Sequence, residues 1–313
     1  MVVLITVCSK STEGNKKENF DFDWKFYAGE IANTENPDFN DSDWRTVNLP
    51  HDWSIEGNFS KANPSFSRGG WLPTGKVVYR KSFTVPKHQK NKRILIYFEG
   101  AYRNSEVYLN GHLLGKRPFG YISFHYDMTK QINFGKENVI TVKLDNSNQP
   151  GSRWYTGTGI YRHVKLITTD KLYIPIWGNY IVPINVLKNE ATLQIETTIN
   201  NDFKKSKEFE IVTSIVDNKG VVVASKKENQ SLEANHSKLY KTALKVENPK
   251  LWNTENPYLY AVKTELLLNN EIVYTETNST GIRKLEYSTT EGFKLNGKVV
   301  KLKGVCLHHD GGP

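Results

Sequence analysis

The residues with the clearest chemical potential stand near the end of the chain, where His308, His309 and Asp310 follow the apolar run at residues 301–307. Imidazoles and a carboxylate can exchange protons and hydrogen-bond to hydroxyl groups. Titratable side chains at the C-terminal end of a strand are typical of an active site on a (β/α)8 barrel. We therefore expect residues 301–307 to be the first strand of a catalytic barrel, and the chain to be the front part of an enzyme.

No complete catalytic or metal-binding motif precedes that cluster. The sequence has no glycine-rich phosphate loop, no HExxH pair and no GxSxG elbow. The three terminal residues alone do not predict a metal site, because adjacent side chains on an extended segment point to opposite faces. We therefore name no catalytic residue and no metal ligand in this chain.

The composition favours a folded protein with more than one domain. The chain has 313 residues, of which 38% are hydrophobic and 12% aromatic, which is enough for well-packed cores. The net charge of +9 comes mainly from lysines dispersed along the sequence, without a nucleic-acid-binding motif. The sequence therefore predicts a solvated basic surface and no nucleic-acid partner.

Short β-rich segments separated by turn residues predict an all-β fold before the terminal cluster. Asn110-Gly111 tolerates positive φ and predicts a two-residue hairpin, and Asn269-Asn270 separates two further strand patterns. Residues 231–246 can be read as helix or strand, and their flanks favour strand. The prediction is a jelly-roll β-sandwich at 20–170, an immunoglobulin-like β-sandwich at 171–283, and the start of a truncated TIM barrel at 284–313.

The N-terminus resembles the end of a bacterial lipoprotein signal. Residues 1–7 are apolar and run directly into Cys8, which polar residues follow. The cysteine of such a signal becomes the lipidated N-terminus, and the alternative is a chance hydrophobic leader. Residues 1–19 are therefore predicted to be a signal remnant or flexible leader. The protein would be a periplasmic or cell-surface lipoprotein, touching the membrane only through an anchor on Cys8.

Five stretches between residues 45 and 310 resemble glycoside hydrolase family 2, the family of β-galactosidases, β-glucuronidases and β-mannosidases. They stand in the order typical of that family. They are LPHDWS at 49–54; VYLNG at 107–111 with Gly120-Tyr121; RWYTGTGIYR at 153–162; Leu251-Trp252 with NPYLY at 256–260; and GIR at 281–283 leading to Phe293, LNG at 295–297 and KGV at 303–305. The PHDW, RWYxGxGIYR and GVCxHHD forms are most similar to the β-galactosidase branch.

The resemblance implies a jelly-roll sugar-binding domain, an immunoglobulin-like domain and then a TIM barrel. The barrel would carry two glutamates, an acid/base and a nucleophile, about 5–5.5 Å apart for a retaining mechanism. Both would lie downstream of Pro313, so the chain alone should be inactive. No cofactor is implied for this chain, although Mg²⁺ or Na⁺ could bind the missing barrel. The expected partner is a carbohydrate substrate, a terminal β-galactoside, and the oligomeric state is left open between a monomer and a homo-oligomer.

The resemblance also assigns substrate contacts to a loop of the first domain. Arg153 would donate hydrogen bonds to sugar hydroxyls, and Trp154 or Tyr155 would stack on the apolar face of a ring. Some family members carry an acidic residue in place of Arg153. The alternative is that Trp154 and Tyr155 only pack the sandwich against the barrel.

The remaining assigned site residues lie at the two ends of the matched region. His308 matches a family histidine of the sugar pocket, whereas His309 and Asp310 either contact sugar or shape the loop after the strand. Asp52 either contacts sugar or forms a buried pair with His51 that locks its loop. These residues complete the predicted substrate-binding set.

Two competing functions remain open from the sequence. The first is a retaining exo-glycosidase, with β-galactosidase favoured over β-glucuronidase and β-mannosidase. The second is a non-catalytic carbohydrate-binding or adhesin-like β-sandwich protein. The segment at residues 304–312 favours the enzyme, because a self-contained binding module needs no unpaired strand that opens a barrel.

Overall fold

The computed structural model describes residues 14–306, which form two compact β-rich units, residues 16–168 and residues 169–304. The prediction of an all-β fold is confirmed, since only short 3₁₀ helices accompany the strands within these residues. They are Trp53–Glu56, Ser67–Gly69 and Lys87–Asn91. In residues 14–306 no helix has the length and apolar character needed to cross a membrane.

The first unit, which we call the jelly-roll unit, is built from two antiparallel sheets. Its strands are β1 (Lys16–Asn19), β2 (Trp24–Ala28), β3 (Arg45–Val47), β4 (Lys76–Thr84), β5 (Arg93–Phe98), β6 (Ser105–Leu109), β7 (His112–Arg117), β8 (Phe124–Asp127), β9 (Glu137–Asp145) and β10 (Val164–Thr169). One sheet has the order β3-β2-β4-β9-β6-β7 and the other β1-β10-β5-β8.

The core of the jelly-roll unit lies between these sheets. Trp24 and Tyr79 from one sheet and Ile96 and Phe98 from the other are fully buried in a single hydrophobic cluster. Alternate residues of each strand point to the same face of a sheet, so one face of each sheet is directed toward this core. The connections between strands remain at the ends of the sandwich, where they can carry a binding site.

The second unit, which we call the immunoglobulin-like unit, has longer and more regular strands. They are β11 (Leu172–Tyr173), β12 (Asn179–Val186), β13 (Glu190–Asn201), β14 (Lys207–Val216), β15 (Val222–Leu232), β16 (His236–Glu247), β17 (Tyr260–Leu268) and β18 (Glu271–Thr280). One sheet has the order β11-β13-β12 with β16 beside β13, and the other has β15-β14-β17-β18. Residues 231–246 are therefore strand apart from a short turn, as predicted.

Both predicted hairpin turns form at the expected residues. Asn110 and Gly111 join β6 to β7 with φ of 50° and 82°. Asn269 and Asn270 join β17 to β18 with φ of 51° and 65°. Positive φ at both central residues is the condition for a type I′ turn, and it explains why asparagine and glycine occupy these positions.

The C-terminal residues form a small antiparallel sheet before the chain loses regular structure. Its strands are β19 (Leu285–Ser288), β20 (Gly292–Leu295) and β21 (Lys298–Val299). Residues 301–306 contain no strand, so this part of the predicted first barrel strand is not formed. The physical reason is that a strand requires a neighbouring strand to accept and donate its backbone hydrogen bonds.

The leader predicted at residues 1–19 extends too far toward the C-terminus. Lys16–Asn19 forms strand β1, which pairs with β10 from Lys16 opposite Thr168 to Asn19 opposite Lys165. The sequence KKEN has no apolar pattern, and backbone pairing alone gives it strand structure. Cys8 lies outside the described residues, and the lipid anchor stays a prediction.

Candidate functional site

Two of the sequence motifs lie side by side at one end of the jelly-roll unit. The backbone N–H of His51 donates to the carbonyl of Ile160 at 2.9 Å, and that of Trp53 donates to the carbonyl of Thr158 at 3.1 Å. The segment 50–54 therefore runs along the segment 157–160, although about 100 residues separate them in sequence. The loop that carries Arg153 and Trp154 begins directly beside this contact.

The Asp52 carboxylate holds the two segments together. One oxygen, Oδ1, accepts hydrogen bonds from the backbone N–H of Ser54 at 3.1 Å and of Thr158 at 2.9 Å. The other, Oδ2, accepts from the Tyr155 hydroxyl at 2.5 Å. Asp52 also caps the 3₁₀ helix Trp53–Glu56. Hydrogen bonds to a charged acceptor are stronger than neutral ones, so this carboxylate fixes the loop.

The loop approaches Asp52 closely because Gly157 has no side chain. Gly157 adopts φ of +73°, and a Cβ placed there would lie 2.7 Å from Asp52 Oδ2. Any other residue would both strain the backbone and displace the carboxylate. Burial, reinforced by the Asp52 carboxylate, raises the pKa of Tyr155, so its hydroxyl keeps its proton and remains a donor.

His51 does not pair with Asp52, and its ring has other partners. Its Nδ1 lies 2.7 Å from the Tyr79 hydroxyl and its Nε2 lies 3.2 Å from a Glu56 carboxylate oxygen. Arg45 contacts both Glu56 and His51 Nε2. Burial lowers the pKa of His51, although Glu56 opposes the shift. Asp52 therefore locks the loop, as one of its two predicted roles required. It does so by bonding to Tyr155 and Thr158, and not by pairing with His51.

Arg153 and Trp154 project from the loop that this network holds. Both side chains are exposed, Trp154 to 43%. The indole Nε1 of Trp154 donates to the Tyr121 hydroxyl at 3.0 Å. Asn146 fixes the start of the loop by donating to Thr158 Oγ1 at 2.8 Å. The structure thus brings Asp52, Arg153 and Trp154 to one place, with Asp52 inside and the other two facing solvent.

The space beneath the loop is too small for a sugar. A cavity of about 10 Å³ lies there, lined by polar and small residues that include Ser54, Ser65, Thr74 and Gln149. A cavity of that size holds about one water molecule, whereas small-molecule pockets usually exceed about 300 Å³. Arg153 and Trp154 can therefore supply one wall of a site, and other residues must supply the rest.

The other sequence-predicted residues belong to the C-terminal segment. His308, His309 and Asp310 are outside the described residues. Between residues 14 and 306, no group of three or more His, Cys, Asp or Glu side chains is placed to hold a metal ion. The described site consists of hydrogen-bonding groups and exposed aromatic rings.

Tyr121 is the site residue that reasoning from motifs did not assign. Its ring is 41% exposed, contacts the Tyr102 and Phe119 rings, and accepts the Trp154 hydrogen bond. The available signal was the run Phe119-Gly120-Tyr121-Ile122, in which large apolar residues stand in a turn-rich segment. These aromatic and aliphatic side chains are exposed together, and a contiguous exposed apolar patch is typical of an interaction site.

Two domain-family models match the chain. The model described as "Glycosyl hydrolase 2 galactose-binding domain-like" matches residues 54–174. The model described as "Glycosyl hydrolases family 2" matches residues 176–283. The first coincides with most of the jelly-roll unit and the second with most of the immunoglobulin-like unit.

Curated relatives match over nearly the whole chain. Beta-galactosidase BoGH2A of Bacteroides ovatus is 41% identical over 305 residues, which are 97% of this chain and 36% of that protein. A putative beta-glucuronidase of Formosa agariphila is 38% identical over 315 residues, covering 99% of this chain and 30% of that protein. The chain therefore spans about a third of the length of these relatives.

Solved structures share the same architecture. A glycosyl hydrolase family 2 member from Bacteroides cellulosilyticus has a TM-score of 0.91 at 36% sequence identity, covering 94% of this chain and 39% of that one. A structure titled as a beta-glucuronidase from glycoside hydrolase family 2 has a TM-score of 0.87 at 32% identity, covering 93% and 33%. At these identities the likeness extends beyond the fold to the sequence.

Proposed function

Because this chain belongs to glycoside hydrolase family 2, we propose that it is the N-terminal part of a retaining exo-glycosidase, a β-galactosidase. The protein would remove terminal β-galactosides from larger carbohydrates. The jelly-roll unit would supply one wall of the substrate pocket, and the immunoglobulin-like unit would serve as scaffold. The two catalytic glutamates would belong to a barrel that follows these units.

The observation that carries this proposal is the fixed presentation of Arg153 and Trp154 by the Asp52 network. A guanidinium offers several N–H donors in a rigid plane, which suits neighbouring sugar hydroxyls. An indole offers a large apolar face with little conformational freedom to lose on binding. Because the Asp52 carboxylate bonds to Tyr155, which directly follows Trp154, and to Thr158, Arg153 and Trp154 are positioned before substrate arrives.

In the proposed mechanism this chain binds and orients the sugar and performs no proton transfer. Arg153 would hold hydroxyls of the terminal pyranose, and Trp154 would cover its apolar face. Holding the ring in one orientation lowers the entropic cost of the displacement at the anomeric carbon. Asp52 would act at a distance from the sugar, by positioning the loop.

β-Glucuronidase is the second candidate, because a relative of 38% identity carries that name. The exposed Arg153 guanidinium could also pair with the carboxylate of a uronic acid. A non-catalytic carbohydrate-binding protein is the remaining alternative.

The full-length gene product, assayed on p-nitrophenyl β-galactoside, β-glucuronide and β-mannoside, tests the proposal. We expect the galactoside to be hydrolysed with the highest kcat/KM. Dominant turnover of the glucuronide would select the second candidate, and no turnover of any of the three would support the binding protein. Trp154→Ala should lower kcat/KM by about 10- to 100-fold, the usual effect of losing a positioning contact. Tyr180→Ala, exposed on β12, should leave it unchanged.

The purified chain of residues 1–313 provides the complementary assay. We expect it to fold and to hydrolyse none of the three glycosides. Measurable turnover by this chain would mean that catalytic residues lie within it, which would contradict the assignment of both glutamates to a following barrel.

A further inference from the structure

A second concave surface lies on the jelly-roll unit and includes Tyr121 in its lining. It is an open groove of about 350 Å³, within the range of pockets that bind small molecules. Its lining combines two phenol rings, a hydroxyl, a carboxylate and a guanidinium. The residues are Tyr97, Glu99, Tyr121, Ile122, Ser123 and Arg162.

The walls of this groove are held in place by close backbone contacts. The Tyr161 hydroxyl donates to the Gly120 carbonyl at 2.8 Å, which ties the turn before β8 to the segment before β10. A Cβ on Gly120 would lie 2.3 Å from the Tyr102 ring, and a Cβ on Gly100 would lie 2.8 Å from the Tyr161 hydroxyl oxygen. Two glycines thus permit a tight, pre-formed surface, which reduces the entropic cost of binding.

The charges lining the groove leave one cation without a partner. Glu99 forms an ion pair with Lys165 at 2.8 Å, so its charge is already compensated. Arg162 is exposed, and no carboxylate of residues 14–306 pairs with it. A planar guanidinium next to aromatic rings suits a ligand that has a carboxylate and an apolar face.

The aromatic side of the groove is continuous with the candidate functional site. The Tyr121 ring lines the groove, and its hydroxyl accepts the hydrogen bond from Trp154 Nε1 at 3.0 Å. Phe119, 55% exposed, packs edge-on against Tyr121 with 5.6 Å between ring centroids. One carbohydrate chain could therefore contact both surfaces, because Tyr121 belongs to each.

We propose that this groove is an accessory subsite for a pyranose that bears a carboxylate, a uronic acid residue of a carbohydrate chain. Arg162 pairs with the carboxylate and the Tyr121 ring covers the apolar face of the sugar. The ring hydroxyls form hydrogen bonds with Ser123 and with the Glu99 oxygen that does not contact Lys165. The inference rests on the proposed function only for the class of ligand, a carbohydrate, and it concerns a surface separate from Arg153 and Trp154.

The test is a binding titration on the purified chain of residues 1–313, followed through backbone amide chemical shifts. The probes are methyl β-D-glucuronide and methyl β-D-glucoside, which differ only at C6, and sodium acetate as a carboxylate without a pyranose. We expect the glucuronide to shift the amides of residues 97–99, 121–123 and 162. We expect the glucoside and acetate to bind at least about tenfold more weakly, since each lacks one of the two contacts.

Two variants assign the binding to the groove. Arg162→Gln should weaken glucuronide binding by about tenfold or more and remove the preference over the glucoside. Arg68→Gln, another exposed arginine of the same unit, is the matched control and should leave it unchanged. Tyr121→Ala should weaken both sugars and leave acetate unaffected.

Several results would overturn the proposal. Equal binding of the glucuronide and the glucoside would show that the carboxylate is not recognised. Equal binding of acetate and the glucuronide would show that the pyranose is not recognised. An unchanged affinity in Arg162→Gln would show that the sugar does not bind in this groove. The glycoside panel on the full-length protein remains a separate measurement. Hydrolysis without groove binding would defeat this inference alone, and groove binding without hydrolysis would defeat the proposed function alone.

Discussion

The jelly-roll unit buries the charged side chain of Arg80 against a loop, in addition to carrying strand ion pairs such as Lys116 with Glu106, whereas the immunoglobulin-like unit carries ion pairs of the second kind. In the first, Arg80 is 1% exposed and bonds to Asp41 at 2.7 Å and to carbonyls of the loop 34–39. In the second, Lys227 contacts Glu210 and Lys241 contacts Glu196, both at 2.7 Å between neighbouring strands. The two sandwiches are thus stabilised differently outside their cores.

This difference follows from the backbone groups that each unit must satisfy with hydrogen bonds. Regular strands satisfy their own backbone groups by pairing, so the immunoglobulin-like unit needs few side chains for that purpose. The irregular loops of the jelly-roll unit have no such partners, and Arg80, Asp52 and Asn110 supply them. Burying polar groups is costly unless each is satisfied, so these networks also fix one conformation. A fixed loop conformation is what a binding site requires.

The largest predicted effect is the removal of a buried charge from the jelly-roll unit. Arg80→Met leaves Asp41 and several loop carbonyls without their donor and should cost about 3–5 kcal/mol in the free energy of unfolding. Lys227→Met breaks an exposed pair of the immunoglobulin-like unit and should cost less than about 1 kcal/mol. Urea unfolding followed by tryptophan fluorescence measures both. Equal losses would contradict the contrast between the units.

The second prediction compares the loss of stability when either of two aspartates that accept backbone hydrogen bonds is replaced by alanine. Asp52→Ala removes the bonds from Ser54, Thr158 and Tyr155 and should cost about 2–4 kcal/mol. It should also speed hydrogen exchange of the amides at 153–158. Asp217 accepts from the amides of Lys219 and Val221 in an exposed turn.

Asp217→Ala is the matched control for that prediction. It should lower stability less than Asp52→Ala and leave exchange at 153–158 unchanged, because an exposed turn can replace the lost bonds with water. Unchanged exchange at 153–158 in Asp52→Ala would show that the carboxylate does not position the loop.

The smallest effect is a dependence of stability on pH in the jelly-roll unit. Burial holds the pKa of His51 in the folded state below its ordinary value of 6.5. The unfolded chain therefore binds a proton at higher pH than the folded one, and stability should fall as the pH drops from about 7 to about 5. His51→Gln should reduce this slope. Burial also lowers the pKa of His125, so part of the slope should remain in this variant.

The control for pH is His236, an exposed histidine of the immunoglobulin-like unit. His236→Gln should leave the slope unchanged in unfolding experiments between pH 7 and pH 5. A slope that His51→Gln does not alter would mean that the buried imidazole is protonated as readily as in the unfolded chain.

Much of the fold could be predicted, because its signals are local. Alternation along Glu190–Asn201 directs every second residue into the core, and β13 forms there. The Asn110-Gly111 and Asn269-Asn270 turns form because few other residues tolerate their backbone conformation. The strand β1 and the irregular backbone of residues 301–306 could not be predicted, since both depend on whether a partner strand is available.

The candidate site was predictable only in part. The motif RWYTGTGIYR indicated Arg153 and Trp154, and the structure places both on an exposed loop. The roles of Asp52 and Tyr121 depend on contacts with residues far away in sequence, Tyr155 and Trp154, which no local pattern encodes. The motifs therefore indicate the loop and offer Asp52 as a residue that locks it, but they pair Asp52 with His51, whereas the structure pairs it with Tyr155 and Thr158.

The sequence by itself determined the two β-sandwiches, their hairpin turns and the family to which they belong. These properties follow from periodicity, from residues that tolerate positive φ, and from motifs that keep their order along the chain. Only the tertiary structure decided that Asp52 faces inward to fix the loop, that Trp154 reaches Tyr121, and that Arg162 and Tyr121 line a common groove. Such contacts form when folding brings distant segments within hydrogen-bonding distance, and short-range sequence carries no record of them.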